Sequence, residues 1–260
     1  MKPNKLRDLF FVTIAPLIIF IGVFAFGWQI SYLASLLLVL GIPSLYLSVL
    51  NRDKLKKIIL YTFTISIPTG IIFDFAVRAD NGWFIPKSIL PYRLFDLMPL
   101  ENYIWMFLAV YIIIIFYEHF CNKFEKEISK RLKIFSWIFY TLTALILIVH
   151  IIRGSFFSIP YIYLYLGITL FLIPTLFFIW KYPKFMGSFF NVQVYFFYLH
   201  IMFELIGVKL QHWVYPGTHY IGIVSFFGLN IPFEEFFFVI AFGAFETLAY
   251  YEFFTNRKLK

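Results

Sequence analysis

Asp74, Glu101, Glu204, Glu234, Glu235 and Glu246 all fall inside or at the ends of long apolar runs, and His200 stands four residues before Glu204. Carboxylates in such surroundings are costly and mark function more often than they decorate a fold. Several carboxyl groups converging on an apolar pocket do not all stay ionised, and a neutral carboxylic acid can donate a proton. The chemistry these residue types offer is therefore proton transfer, one acid giving and another taking.

The acids divide by position. Glu234 and Glu235 open the last apolar run, "NIPFEEFFFVIAFGAFETLAYYEFFTNRK" (230–258), and Asp96 and Glu101 open an earlier one. Asp74 and Glu204 close the runs before those. Glu246 follows Glu235 by eleven residues, about three helical turns, so both share one face and Glu246 is expected to look inward as a support. Glu118 and Glu252 lie at the opposite ends of their runs beside Lys123 and Arg257, where interfacial ion pairs are expected. The i, i+4 spacing of His200 and Glu204 predicts a hydrogen-bonded pair on one helix. Two ligands are too few for a metal, and the chain has no H-E-x-x-H and no Cys/His cluster, so no metal is expected. His119 sits near an inner helix end and His150, His212 and His219 near outer segments, the last two being the nearest histidines to a site there.

No glycine-rich dinucleotide loop, P-loop or G-x-S-x-G elbow occurs, so no cofactor is expected. The single cysteine, Cys121, excludes an internal disulfide.

The elements that must position these groups follow from composition. The 260 residues are 62% hydrophobic and 14% charged, with mean hydropathy +0.83, which excludes a soluble domain. Apolar runs of about 20 residues recur, the length a helix needs to cross a bilayer. They predict an all-α, polytopic membrane protein with helices over 8–27, 30–50, 58–77, 99–121, 133–152, 159–180, 188–209 and 232–254. The first run imitates a signal peptide but lacks a small-x-small cleavage site, and is read as a retained span. Of 22 Lys and Arg, seventeen fall on the side of the N-terminus, which places both termini in the cytoplasm and the chain in the cell membrane. The cations sit in short loops rather than on a solvated basic face, which argues against nucleic acid. The expected partners are the lipid bilayer and an apolar substrate, and the sequence permits a homo-oligomer.

Two long outer loops, 78–98 and 210–231, each carry Trp followed by Pro: "GWFIPKSILPYRLFDLM" and "HWVYPGTHYIGIVSFFGLN". Trp83 and Trp213 are expected at headgroup level, with the loops in the interface or dipping back over the bundle.

The chain also aligns with itself. At an offset of 130, Asp74 falls on Glu204, Trp83 on Trp213 and Pro86 on Pro216; "PLEN" (99–102) then falls on "PFEE" (232–235), and "YEHFCNK" (117–123) on "YEFFTNR" (251–257). This predicts two parallel four-helix repeats, 1–130 and 131–260, with any shared site at their interface.

Tandem helical units that each open a helix with Pro-x-Glu resemble the lycopene cyclase domain family, on the strength of "IPFEEFFF" (231–238) and its partner "MPLENYIW" (98–105). The resemblance implies acid-catalysed cyclisation of a linear carotene end group, without net redox change, on a polyene or isoprenoid substrate. It implies Glu234 and Glu235 as acid and base and Glu101 as their counterpart; by their positions, Asp74, Glu204, Trp83, Trp213, His200 and Glu246 are expected around the substrate. The 23% aromatic content would shelter a carbocation. Asn102 departs from the pattern, where a second acid belongs. Rival readings are a carotenoid hydratase, in which water captures the same cation, a small transporter, with Pro16, Pro43, Pro68 and Pro174 inside spans, and a scaffold without chemistry.

Overall fold

The computed structural model describes residues 4–90, 92–94, 98–122, 130–153 and 158–254. Asp96, and the cations Lys2, Lys123, Lys126, Arg257, Lys258 and Lys260 used in the charge count, lie outside the described residues.

Among the described residues, eight helices are long and apolar enough to cross a membrane: α1 (Lys5–Ala25), α2 (Tyr32–Leu50), α3 (Arg52–Ala79), α4 (Leu100–Cys121), α5 (Lys133–Ile152), α6 (Ile162–Lys181), α7 (Pro183–Lys209) and α8 (Phe233–Phe253). Such a set is consistent with a multi-pass membrane protein. α3 begins six residues before the expected 58, because a 3-10 turn at Arg52–Lys54 runs straight into it.

Three of the mid-span prolines have a visible local consequence. π-helical turns occupy Leu37–Gly41, Thr62–Ser66 and Gly167–Leu172, and each is followed by Ile-Pro: Ile42–Pro43, Ile67–Pro68 and Ile173–Pro174. Proline cannot donate to the preceding turn, and its ring crowds the carbonyl four residues back. Widening the turn by one residue relieves that crowding while the helix continues.

α3, α4, α7 and α8 form the interior, with 56 to 72% of their spans buried, whereas α5 is only 6% buried. α1 packs on α7 and α2, α5 packs on α3, and α8 is wedged between α4, α6 and α7. The outer faces are strongly apolar: Trp137, Ile138, Leu145 and Ile152 of α5 are exposed. In water such a surface would be an aggregation liability, while in lipid it is ordinary.

At one end of the bundle the buried polar groups are paired with one another. Tyr46 donates to Asp8 Oδ1 (2.7 Å), and His119 Nε2 meets Asp8 Oδ2 (3.1 Å) while its Nδ1 meets Asn51 Nδ2 (2.9 Å). Glu118 accepts from Tyr250 (2.8 Å) and faces Lys54 (3.3 Å); Glu252 faces Lys181 (2.9 Å) and accepts from Tyr182. Glu118 is thus a buried group held by Lys54 and Tyr250 rather than an exposed anchor.

The other end carries the two long loops, and they are built alike. After α3, Asn81 takes a left-handed conformation (φ 57°), with Gly82 N–H bonded to Val77 C=O and Asn81 N–H to Arg78 C=O. After α7, Gln211 does the same (φ 57°), with His212 N–H to Gly207 C=O and Gln211 N–H to Val208 C=O. Both are Schellman caps, which satisfy the last carbonyls and turn the chain back over the helix. Each loop then forms a hairpin, β1 (Arg93–Leu94) with β2 (Met98–Pro99), and β3 (Ile223–Phe226) with β4 (Leu229–Pro232). The second turns at Phe227–Gly228, both with positive φ, as a two-residue hairpin requires. Phe84 and Val214 exchange both backbone hydrogen bonds (2.9 and 2.8 Å), joining one loop to the other.

Candidate functional site

Below the joined loops lies a narrow cavity of about 60 Å3. α3, α4, α6, α7 and α8 all contribute to it, together with Trp83, Trp213 and Tyr215 of the loops.

One wall is aromatic. Phe73 stacks on Phe238 (centroids 4.5 Å apart), Phe238 stacks on Phe242 (5.2 Å), and Tyr163 meets Phe73 edge-on (5.3 Å). The ring faces supply negative potential without polar atoms that would react.

The acids adjoin these rings, Glu235 one turn before Phe238 on α8. α8 begins with two adjacent glutamates, and neighbouring helical positions point about 100° apart. Glu234 turns to the loop, where its Oε1 accepts from Ile221 N–H (2.6 Å). Glu235 turns into the cavity, where its Oε1 accepts from the Tyr163 hydroxyl (2.5 Å). Glu204, on α7, has its Oε1 held by Trp213 Nε1–H (3.0 Å) and the Tyr215 hydroxyl (2.5 Å). Burial holds the Tyr215 phenol well above its ordinary range, so it remains a donor. The Tyr215 hydroxyl lies beside Glu235 as well, and the two Oε2 atoms face His200 Nε2, at 3.9 Å from Glu204 and 3.8 Å from Glu235. His200 Nε2 is buried and has no hydrogen-bond partner. The expected His200–Glu204 hydrogen bond is therefore absent; His200 stands between two carboxyls instead. Three ligand-type atoms of His200, Glu204 and Glu235 lie within 4.8 Å of one another, a set able to hold an ion, where the spacing alone had supplied two.

The third side of the cavity is built from the first half of the chain and is chemically quieter. Asp74 is paired with Arg78 (3.3 Å) and accepts from Asn102 Nδ2 (3.1 Å), while Asn102 Oδ1 accepts from Tyr32 (3.2 Å). Arg78 also lies over the Trp83 ring, 4.6 Å from its centre.

Several expected site residues sit elsewhere. Glu101 does not line the cavity: it accepts from Ser88 Oγ (2.5 Å), Ile89 N–H (2.6 Å) and Leu90 N–H (2.9 Å), so it holds its loop as Glu234 holds the other. Glu246 is fully buried in the bundle and accepts from Tyr61 (2.8 Å), away from the cavity. Trp213 is buried within the protein, packed so tightly on Gly207 that a Cβ there would meet its ring at 2.0 Å. His219 pairs with Asp80 across the loops (3.1 Å), and His212 is buried between Ser35 and the Ile30 carbonyl.

Sequence reasoning passed over Tyr163, Tyr215 and Tyr32. Tyr163 lies 131 residues after Tyr32, so the self-alignment carried a signal for both. No protein-family model, curated protein or solved structure matches the chain.

Proposed function

We propose that this protein is a membrane-embedded isomerase that cyclises the end group of a linear polyene of the lycopene type by proton transfer. The observation that carries the reading is that Glu204 and Glu235 each turn an Oε2 atom toward one His in a cavity walled by aromatic rings. In the reaction, protonated Glu235 gives its proton to the terminal double bond and a tertiary carbocation forms. The neighbouring double bond attacks it, closing the ring and moving the charge onto the ring. Phe73, Phe238 and Phe242 stabilise that charge. Ionised Glu204 then removes a ring proton, and the new double bond forms. One proton is given and one recovered, so no oxidant or reductant is needed. His200 Nε2, between the two carboxyls, can return the proton to Glu235 for the next turnover.

The same reading includes two parallel four-helix repeats meeting at the cavity. It is supported by the matched caps at Asn81 and Gln211, the matched loop-holding by Glu101 and Glu234, and the pairing of Phe84 with Val214, 130 residues apart. The charge count supports cytoplasmic termini, with the cavity near the outer face.

Expression in cells that accumulate lycopene, with chromatography and mass analysis of the carotenes, tests the proposal. The wild type is expected to give a cyclised carotene of unchanged mass, and Glu235→Gln to leave lycopene unconverted. A product heavier by one water would point to the hydratase chemistry. Unchanged lycopene beside abundant wild-type protein would sink the proposal.

A further inference from the structure

We propose that His200, Glu204 and Glu235 form a site for one divalent first-row metal ion of the Zn2+ class, and that an ion there excludes the proton chemistry. The exclusion rests on the cyclase reading; the site itself does not.

The argument starts from what each atom lacks. His200 is only 6% exposed, and its Nε2 has no partner. The Oε2 atoms of Glu204 and Glu235 are 3.9 and 3.8 Å from it. Zn–N and Zn–O bonds of about 2.0–2.2 Å place neighbouring ligands roughly 3.0–3.5 Å apart, so the two edges to His200 need to close by only a few tenths of an ångström, and all three ligand atoms already lie within 4.8 Å of one another. The remaining oxygens are already oriented by Tyr163, Trp213 and Tyr215. Such outer donors fix ligand direction around protein-bound metals. Two carboxylates and a neutral imidazole also cancel a 2+ charge, which suits an apolar enclosure better than two bare carboxylates do.

The donor set selects the ion. Imidazole with carboxylates favours Zn2+ and its first-row neighbours, whereas Ca2+ asks for six to eight oxygens and Mg2+ for an octahedral set. The matching positions 130 to 133 residues earlier, Gly70, Asp74 and Asn102, offer one carboxylate, and Arg78 occupies it, so one ion per chain is expected. Metal ligands must be deprotonated, so an ion displaces any proton the carboxyls hold. Ion and acid thus compete for the same oxygens.

The test uses the full chain purified in detergent, stripped with chelator, incubated with Zn2+, desalted and analysed for metal. One zinc per chain is expected for the wild type and for Asp80→Asn, which breaks the half-buried His219–Asp80 pair in the loops. His200→Ala and His200→Gln are expected to retain none while eluting as the same monodisperse peak. Co2+ in place of Zn2+ is expected to give a visible d–d spectrum that both His200 variants lose. Sub-stoichiometric zinc in the wild type, or equal zinc in the variants, overturns the site. In membranes supplied with lycopene, zinc is expected to slow cyclisation at least tenfold and chelator to restore it. Full-rate cyclisation with the site filled overturns the exclusion. Zinc bound one-to-one by a protein that leaves lycopene unchanged keeps the site and overturns the cyclase reading and the exclusion with it. Cyclisation by a protein that retains no zinc does the reverse.

Discussion

Tyr163 donates its hydroxyl to Glu235 Oε1 at 2.5 Å, and that contact fixes which oxygen of Glu235 remains for the cavity. Tyr163→Phe removes the hold while keeping the ring that meets Phe73. A hydrogen bond to a charged or acidic group is worth about 1.5–3 kcal/mol, so the conversion rate is expected to fall roughly 10- to 100-fold. Carotene turnover at matched protein level measures it. A rate within twofold of wild type would show that Glu235 needs no such orientation.

The adjacent glutamates are expected to separate in their effects. Glu235→Gln removes the donated proton and should abolish conversion with the fold intact. Glu234→Gln leaves an amide oxygen that can still accept from Ile221 N–H, and should convert at a rate within several-fold of wild type. Glu234→Ala removes that bond and should lower stability by about 0.5–1.5 kcal/mol. The thermal midpoint in detergent and carotene yield, taken together, distinguish a loop support from an acid. Equal loss of conversion in both Gln variants, at unchanged stability, would reverse this assignment.

Gly207 lies under the Trp213 indole, and a methyl group there would sit 2.0 Å from ring carbon. Gly207→Ala forces Trp213 off the helix and takes its Nε1–H away from Glu204. Overpacking of this kind costs about 1–3 kcal/mol. A lowered thermal midpoint, together with a loss of the buried-tryptophan fluorescence, is the expected result; an unchanged spectrum would contradict the close packing.

The spans were legible because a run of about 20 apolar residues has one meaning in a helix crossing lipid. The role of Glu235 was half legible. Adjacent acids point about 100° apart, and nothing in "PFEE" says which faces the bundle and which the loop; that depends on where β4 hands the chain to α8. Glu101 and Glu234 look catalytic in sequence because a carboxylate that captures loop N–H groups is written in the same residue type as one that moves protons. Tyr163 and Tyr215 were hidden among 18 tyrosines. The hairpin of β3 and β4 left a trace in the Gly after Phe227, but "IVSF" lacks the alternation that would have declared a strand.

His212 gives a pH signature outside the spans. Burial pushes its imidazole below the ordinary 6.5, opposed by the bond of Nε2 to the Ile30 carbonyl. The folded state therefore binds fewer protons than the unfolded state below about pH 6.5, and this contribution to stability is lost as pH falls through the folded value. The thermal midpoint is expected to drop between pH 7.5 and pH 5.5, and His212→Gln to flatten part of that drop. An identical drop in the variant would assign it to other groups.

Asn102 is where the two halves of the site part company. Its Nδ2 donates to Asp74 and its Oδ1 accepts from Tyr32, so the amide is used at both ends. An acid at this position cannot donate to Asp74 while ionised, and it would bring a second carboxylate beside the one that Arg78 balances. Asn102→Asp is accordingly expected to cost about 1–3 kcal/mol of stability. Its carotene yield should fall far less than that of Glu235→Gln, because under the proposed mechanism the proton passes through Glu204 and Glu235, which Asn102 does not touch. Thermal midpoints and yields of the two variants, compared side by side, check both halves of the statement. If Asn102→Asp were as inactive as Glu235→Gln while remaining as stable as wild type, Asn102 would belong to the reacting groups and not to the wall that supports them.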